Sequence, residues 1–492
     1  MKYKVIGLCM VCVIIYASIL ATPAEIREKK GRVHQHMVSG YDTGCDCDGS
    51  TLCTHLPLVI MDTGGQIIPG TPLFNQRDAF GQAIYSDAPD GQNTIQVNLS
   101  VIDQENRNNH PTDLPVFTTA CRTHIRGNSS RRFPKHSYAL KFLDKSGNAN
   151  PQKVMGMSSH HEWVLNGPIL DKTLIRNYMW YNISGEIMNY APNVRFCELI
   201  LNGEYQGIYL MTEEISEGEE GRLHLKMDVK NHRKTGYLLR IDRPTEEEYE
   251  SVRDIYTYNE RMLNIGTDVA IRYPGRQTLT PQLAKDIELD YSAFEKALFS
   301  FDYNTDEYAY WNYIDVDNFI DYYLINEFTG NSDACKYSTY IYKEVGEKYR
   351  LCVWDFNNSC DNYQERKTSI HGFGAVGQAW FFMLFKDEAF VEKVIERYRQ
   401  LRESYLSEEY LVKYMDDTIA YLGPALERNN ARWAREIEEW KPLLPKERNV
   451  QSYEEAVKKM KRWLIKRGQW MDRHIDSLRQ YGHPSRNKVY NH

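Results

Sequence analysis

A mixed α+β chain, with a β-rich N-terminal lobe followed by a mainly helical C-terminal lobe, is the fold class this sequence predicts. Three observations carry that expectation. Short segments between residues 56 and 241 alternate apolar and polar side chains with a period of two. Beyond residue 380 the apolar residues recur with the helical period. The length of 492 residues is too great for one ordinary core and favours packed lobes with a cleft between them.

The N-terminus reads as an export signal. Lys2 and Lys4 precede an uncharged run from Val5 to Ala21, and Thr22-Pro23-Ala24 follows as a cleavage zone. Residues 1–24 are therefore expected as a signal peptide or, uncleaved, as an N-terminal anchor that is the chain's sole membrane attachment; the product is secreted or cell-envelope associated. Residues 25–55 are polar and contain Cys45, Cys47 and Cys53, and read as a tether. With Cys9 and Cys12 inside the apolar run, eight cysteines remain, an even number that permits disulfides in an exported chain. The Cys45-x-Cys47-x5-Cys53 spacing also raises a metal, but no companion His/Cys pair at zinc-finger spacing accompanies it.

The β-rich lobe is expected over residues 56–250. Leu56–Met61 is a short apolar run closed by the turn Asp62-Thr63-Gly64-Gly65, and Thr94–Val101 and Ser137–Phe142 alternate cleanly. Further strands are expected at Phe196–Leu201, Gly207–Glu213 and Tyr237–Ile241, the first two joined by the Asn202-Gly203 turn. A helix is expected at Asp171–Met188. The C-terminal lobe, residues 251–482, holds a helix at Val316–Phe328 with Asp315 as its cap, and two strands, Ser338–Lys343 and Lys348–Val353, around a turn at Val345-Gly346. Phe390, Val391, Val394, Ile395, Tyr398 and Leu401 form one apolar stripe; Tyr453, Ala456, Val457, Met460, Trp463 and Leu464 form another.

Composition limits function. A net charge of −7 offers no basic field for a nucleic-acid backbone. The 35 tyrosines suit either a tyrosine-rich core or a wet groove for sugar or peptide. The Gly-x-x-x-x-Gly-Lys-Ser/Thr loop, His-Glu-x-x-His, Gly-x-Ser-x-Gly, His-Arg-Asp and Asp-Phe-Gly are all absent.

The residues that bear chemistry gather around the predicted hairpin at 345. Its arms run in opposite directions, so Asp333 and Asp355 fall near the same open end, with Asn357 and Asp361 close by. Two carboxylates and an amide oxygen are hard ligands of the kind Mg²⁺ takes, and one Asp can instead act as a base toward a hydroxyl. The same residues can equally solvate the hairpin edge, and paired carboxylates also serve glycosidases. A second feature is the turn Arg126-Gly127-Asn128-Ser129-Ser130-Arg131-Arg132, a basic phosphate cradle or a solvated turn. Lys141 projects from its strand away from its core-facing neighbours, and Glu213 is a carboxylate on another strand able to hold it; an exposed ion pair is the plainer reading. His160-His161-Glu162 reads as a loop rather than a metal cluster, because adjacent side chains diverge.

In order, these segments resemble the spore-coat protein H (CotH) kinase family. The matching pieces are Arg126-Gly127-Asn128-Ser129 with Pro134–Phe142, Leu165-Asn166-Gly167 with Asp171–Asn177, Gly207–Leu210 leading to Glu213, Asn331-Ser332-Asp333, and Trp354-Asp355-Phe356-Asn357. The early Leu56-Pro57-Leu58-Val59 strand also fits the family's usual opening, so the resemblance covers roughly residues 56 to 400. The resemblance implies an atypical protein-kinase-like two-lobed fold that binds ATP and Mg²⁺ or Mn²⁺ and phosphorylates Ser or Thr of cell-envelope or coat proteins. It makes Asp333 the catalytic aspartate, Asp355 and Asn357 the metal ligands, and Arg126, Asn128, Lys141 and Glu213 the nucleotide-binding set, the last two as a lysine–glutamate pair. Asn357 departs from the family's frequent Trp-Asp-x-Asp, keeping the oxygen but not the charge, and His136 stands where a second lysine is common. The rival expectation is a non-catalytic surface or coat protein that binds a partner on the same scaffold.

Overall fold

The computed structural model describes residues 32–38, 45–77, 83–104, 107–215, 222–223, 225–227, 234–243, 254–255, 268–276 and 278–482. The expected signal or anchor, residues 1–24, lies outside them. Two units divide the chain, Met1–Val33 and His34–His492; every strand and helix below belongs to the second. It is a mixed α+β chain, β-rich toward the N-terminus and helical toward the C-terminus.

Seven strands close into a barrel: β1 Leu58–Asp62, β4 Ile95–Ile102, β5 Phe117–Arg126, β6 Ser137–Leu143, β7 Glu162–Asn166, β8 Val194–Leu201 and β9 Glu204–Glu213, in the order β1-β4-β5-β6-β7-β9-β8. A separate hairpin, β2 Pro72–Arg77 and β3 Ala83–Tyr85, intervenes in sequence. The seam is the parallel pair β1–β8, beginning at Leu58↔Glu198, whereas β1 meets β4 antiparallel. The alternation in the sequence is the inside–outside period of this wall. Val97, Leu99, Cys121, Leu140, Phe142, Trp163, Tyr209 and Met211 belong to one buried cluster filled from the strands. β8 breaks the alternation, being buried along nearly its whole length. Its other face packs on a helix, as the Tyr178–Phe196 ring contact at 4.3 Å shows.

A second sheet has the order β11-β12-β10-β13-β14, with β10 Tyr237–Asp242, β11 Asp254–Ile255, β12 Asp268–Tyr273, β13 Thr339–Lys343 and β14 Arg350–Cys352. β13 and β14 are the expected hairpin, paired through Ile341↔Leu351, and β13 also pairs β10 through Ile241↔Thr339.

The helices are α1 Gln35–Val38, α2 Arg176–Ile187, α3 Pro281–Leu298, α4 Val316–Thr329, α5 Phe381–Leu384, α6 Glu388–Arg402, α7 Glu408–Arg432, α8 Ala434–Glu439 and α9 Tyr453–His474. Asp315 caps α4, accepting from the Asn318 N–H at 3.2 Å. The two predicted stripes are the buried faces of α6 and α9, with Val457 half-buried at the margin. α2 begins later than predicted. Asp171 still satisfies its first turn from outside, accepting from the Arg176 N–H at 2.8 Å. The tyrosine richness is largely core: Tyr178, Tyr209, Tyr291, Tyr303, Tyr322, Tyr323, Tyr349 and Tyr398 are among the largest fully buried side chains.

Parts of the expected tether dock on the barrel. The Gln35 amide donates to the Phe196 carbonyl at 3.1 Å and accepts from its N–H at 2.8 Å. Thr54 exchanges two backbone hydrogen bonds with Asn109, at 3.1 and 2.7 Å.

α7 is held to the barrel at a bulge in β9. The register slips between Leu199↔Gly207 and Ile200↔Tyr205, and Gly207 takes a φ of +85°. There the Asn429 side-chain oxygen accepts from the Ile208 N–H at 3.1 Å and from Lys135 Nζ at 2.9 Å. Lys135, just after the basic turn, is buried, donates also to the Ile208 carbonyl at 2.6 Å, and is pushed down to about 7 by burial. A Cβ on Gly207 would lie 2.5 Å from the Asn429 oxygen, whereas Gly203, also at positive φ, has open space around it. Gly207→Ala is expected to destabilise the fold by about 2–4 kcal/mol and Gly203→Ala by only about 1 kcal/mol. Guanidinium unfolding of the two variants side by side checks the difference.

Candidate active site

The open end of the β13–β14 hairpin gathers the candidate residues. Asp333 precedes β13, and Asp355 follows β14. Each carboxyl is held above the usual carboxylate range. Burial is the larger cause for Asp333, followed by the charge of Asp355, and they push it up to about 6 against an opposing hydrogen bond from Asn358. That bond runs from Asn358 Nδ2 to Asp333 Oδ2 at 2.6 Å. Asp355 is raised by burial and by Asp242, and lowered by the Asn357 N–H and by Arg126. Arg126 also lies over the Trp354 ring, 5.6 Å from its centroid. Arg243, next to Asp242 at the end of β10, sits 3.5 Å from the Tyr337 ring centroid and lowers Asp333. Two carboxyls, a third acid and two guanidinium groups thus influence one another here.

The loop after β14 is fixed by α2. Asn177 accepts from the Phe356 N–H at 2.8 Å and donates to Asn357 Oδ1 at 3.2 Å. Tyr181, one turn on, accepts from the Asp355 N–H at 3.0 Å. Arg176 forms a buried ion pair with Asp171 and donates to the carbonyls of Ser359 (3.0 Å) and Cys360 (3.3 Å). Asn331 reaches the Asp355 carbonyl at 3.4 Å, and its own side-chain oxygen is buried without a partner. Among the described residues, nine non-glycine positions have positive φ, and five of them, Cys335, Ser338, Asp355, Cys360 and Asp361, flank this hairpin. Such strain persists where surrounding contacts over-determine the backbone, and it clusters at functional sites.

The other candidates divide. Asn357 lies in the site, its N–H 3.3 Å from Asp355 Oδ1. Asp361 is taken up structurally by Arg448 (3.0 Å) and Lys459 (3.3 Å). Asn128 is exposed on the turn after Arg126 and does not cap the short helix that follows. Lys141 and Glu213 are not brought together. Lys141 is exposed and pairs with Glu162 at 3.0 Å, directly across β6–β7. Glu213 is buried, pairs with Arg222 and accepts from the Asn193 N–H at 2.9 Å. The reason is strand parity: β7 lies between β6 and β9, and Glu213 stands opposite Trp163, which faces the barrel interior, whereas Lys141 stands opposite the outward Glu162. His160, His161 and Glu162 do not diverge as expected: the two rings stack on each other, and His161 Nε2 lies 3.7 Å from the Glu162 carboxylate that also takes Lys141.

Asp242, Arg243, Asn358, Asn177 and Tyr181 were not visible as site residues in the sequence. Asp242 directly follows a predicted strand, but only the β10–β13 pairing, which ends at Ile241↔Thr339, carries it to the open end of the hairpin. The oxygen donors of Asp333, Asp355 and Asn357, with the unpartnered Asn331 oxygen nearby, fit a hard divalent cation, and the two guanidinium groups fit a polyanion.

Fold and site together define a mixed α+β protein with a paired-carboxylate, oxygen-donor centre flanked by arginines. Over residues 123–471 the chain matches the family described as CotH kinase protein, and it belongs to that family. It is also 21% identical over 319 residues to inner spore coat protein H of Bacillus subtilis (strain 168), covering 60% of this chain and 73% of that one. The family match takes in every candidate from Arg126 to Asn357.

An Asp whose folded pKa is raised binds more protons folded than unfolded between about pH 4 and 6, so stability falls as pH rises through that window. Asp333→Asn keeps an acceptor for Asn358 and removes the charge. It is expected to stabilise the protein by roughly 1–3 kcal/mol at pH 8 and by little at pH 4. Thermal melts in metal-free buffer at both pH values check it.

Proposed function

We propose that the protein is an exported ATP-dependent phosphotransferase that moves the γ-phosphate onto Ser or Thr hydroxyls of cell-envelope or coat proteins. The observation that carries this reading is the match of residues 123–471 to the family described as CotH kinase protein, with Asp333 before and Asp355 after the β13–β14 hairpin at its open end. In this reading the β-rich and helical regions are the lobes of an atypical protein-kinase-like fold. Coat association is supported by the name of the Bacillus relative. Among the described residues no helix is long and apolar enough to cross a membrane.

Asp333, at about 6, is mostly ionised at neutral pH yet more basic than an ordinary carboxylate, which suits a group that accepts or orients a hydroxyl proton. Asp355 and Asn357 would hold Mg²⁺ or Mn²⁺. That ion would supply neutralisation of the phosphate charge. Arg126, with Asn128 beside it, and Arg243 would orient the phosphates of ATP, as forked donors do. Lys141 and Glu213 drop out of the nucleotide set, because they belong to opposite faces of the barrel wall.

A second reading, a non-catalytic coat or surface protein that binds a partner on this scaffold, is favoured by two observations. The lysine–glutamate pair is not formed, and the neutral Asn357 is already engaged by Asn177. The deciding measurement is phosphate transfer from γ-labelled ATP by the purified chain with Mg²⁺ or Mn²⁺. The first reading expects incorporation that falls at least about 100-fold in both Asp333→Ala and Asp355→Ala. No transfer and no metal-dependent nucleotide binding would leave the second.

A further inference from the structure

Three cysteines and one histidine, all outside the segment that matches the family, meet at the barrel end. One ligand atom from each of Cys45, Cys47, Cys53 and His110 can be chosen so that all lie within 4.8 Å of one another. Cys45 Sγ is 3.5 Å from His110 Nε2. Tetrahedral Zn²⁺, with Zn–S of about 2.3 Å and Zn–N of about 2.0 Å, separates sulfur and nitrogen ligands by about 3.5 Å. Cys47 is in hydrogen-bond reach of His110, of the Gly49 N–H and of the other two cysteines.

The surroundings of these four residues have the features of a ligand set. The free ring nitrogen of His110, Nδ1, faces Asp113 Oδ2 at 3.3 Å, leaving Nε2 to the sulfurs. This is the carboxylate–histidine arrangement that fixes ring and tautomer behind a metal. The same carboxylate accepts from the His110 backbone N–H at 2.9 Å. Asn108 Nδ2 lies 3.2 Å from Cys53 Sγ, a donor aimed at a thiolate. The backbone between is rigid. The Thr54–Asn109 bridge joins the residue after Cys53 to the residue before His110, and the buried Asn109 side chain donates to the Leu56 carbonyl at 3.0 Å. A disulfide would use two of the three sulfurs and leave the third, the histidine and its carboxylate without a role.

We propose that Cys45, Cys47, Cys53 and His110 form a structural Zn²⁺ site that staples the segment before β1 to the β4–β5 connection. Four protein ligands close the shell, so the site is structural rather than catalytic. Binding releases up to three thiol protons, one for each Zn–S bond formed, and involves no change of oxidation state.

The test uses the full chain, reduced, stripped of metal and then titrated with Zn²⁺ or Co²⁺. One equivalent of Zn²⁺ by elemental analysis, and the intense visible bands of tetrahedral, thiolate-bound Co²⁺, are the expected results. Cys47→Ser and His110→Ala should each lose the stoichiometric ion, and Asp113→Asn should retain it with affinity lowered about 10- to 100-fold. Cys47 is exposed, so its variant tests the ligand set without disturbing the core. Sub-stoichiometric Zn²⁺ in the reduced wild-type chain, or Zn²⁺ content and Co²⁺ bands unchanged in both Cys47→Ser and His110→Ala, would overturn the proposal. Neither readout depends on phosphotransfer.

Discussion

The candidate centre rests on one buried cation, Arg176. A guanidinium removed from water with no anion is costly by several kcal/mol, so the chain must supply partners or not fold this way. Asp171 supplies the charge, and the Thr173 hydroxyl and the carbonyls of Ser359 and Cys360 accept from further donors. The loop after β14 is thereby pulled onto the start of α2, and the next residues of that helix determine what the loop can do. Asn177 and Tyr181 are one helical turn apart and so share a face. They take the N–H groups of Phe356 and Asp355 and hold the backbone of Asp355, whose charge raises Asp333.

That arrangement works against stability locally. Asp333 is desolvated beside a like charge, Asp242 adds a third acid, and the backbone on both sides of the hairpin passes through left-handed conformations at residues with side chains. Relief comes from cations on two different sheets, Arg126 ending β5 of the barrel and Arg243 following β10 of the second sheet. Neither forms a tight ion pair with the acids among the described contacts; each acts through its field. A centre left with raised carboxyls and an unpartnered amide oxygen is suited to a cationic ligand, since binding would lower the acids and occupy the oxygen.

What the sequence made legible follows from the range of the interactions involved. The hairpin around Gly346 is local, so counting outward from its turn was enough to set Asp333 against Asp355. The Asp315 cap and the apolar stripes of α6 and α9 are local too, and the structure has them where periodicity put them. Barrel closure is not local. Alternation marks β4 and β6 as half-buried strands but does not say that β1 and β8 seal the wall, nor that β7 lies between β6 and β9. Lys141 and Glu213 depend on that order, and one residue of parity put them on opposite faces. Asp242 was missed for the same reason: its strand was legible, its neighbour was not.

The same distinction bears on which family roles can be carried onto this chain. Asp333 and Asp355 are brought to one end of the β13–β14 hairpin, and contacts from α2 fix the loop that carries Asp355. A lysine–glutamate pair requires two strands in register across a third, and here the register gives each residue a different partner, Glu162 and Arg222. The cations that do act on the acidic centre are arginines, whose planar fork of donors suits an anion, whereas Lys135 is taken up by Asn429 and the Ile208 carbonyl. If phosphates are held here, the holding groups are forked donors, and Asn357 leaves the centre one carboxylate fewer than a Trp-Asp-x-Asp sequence would give it.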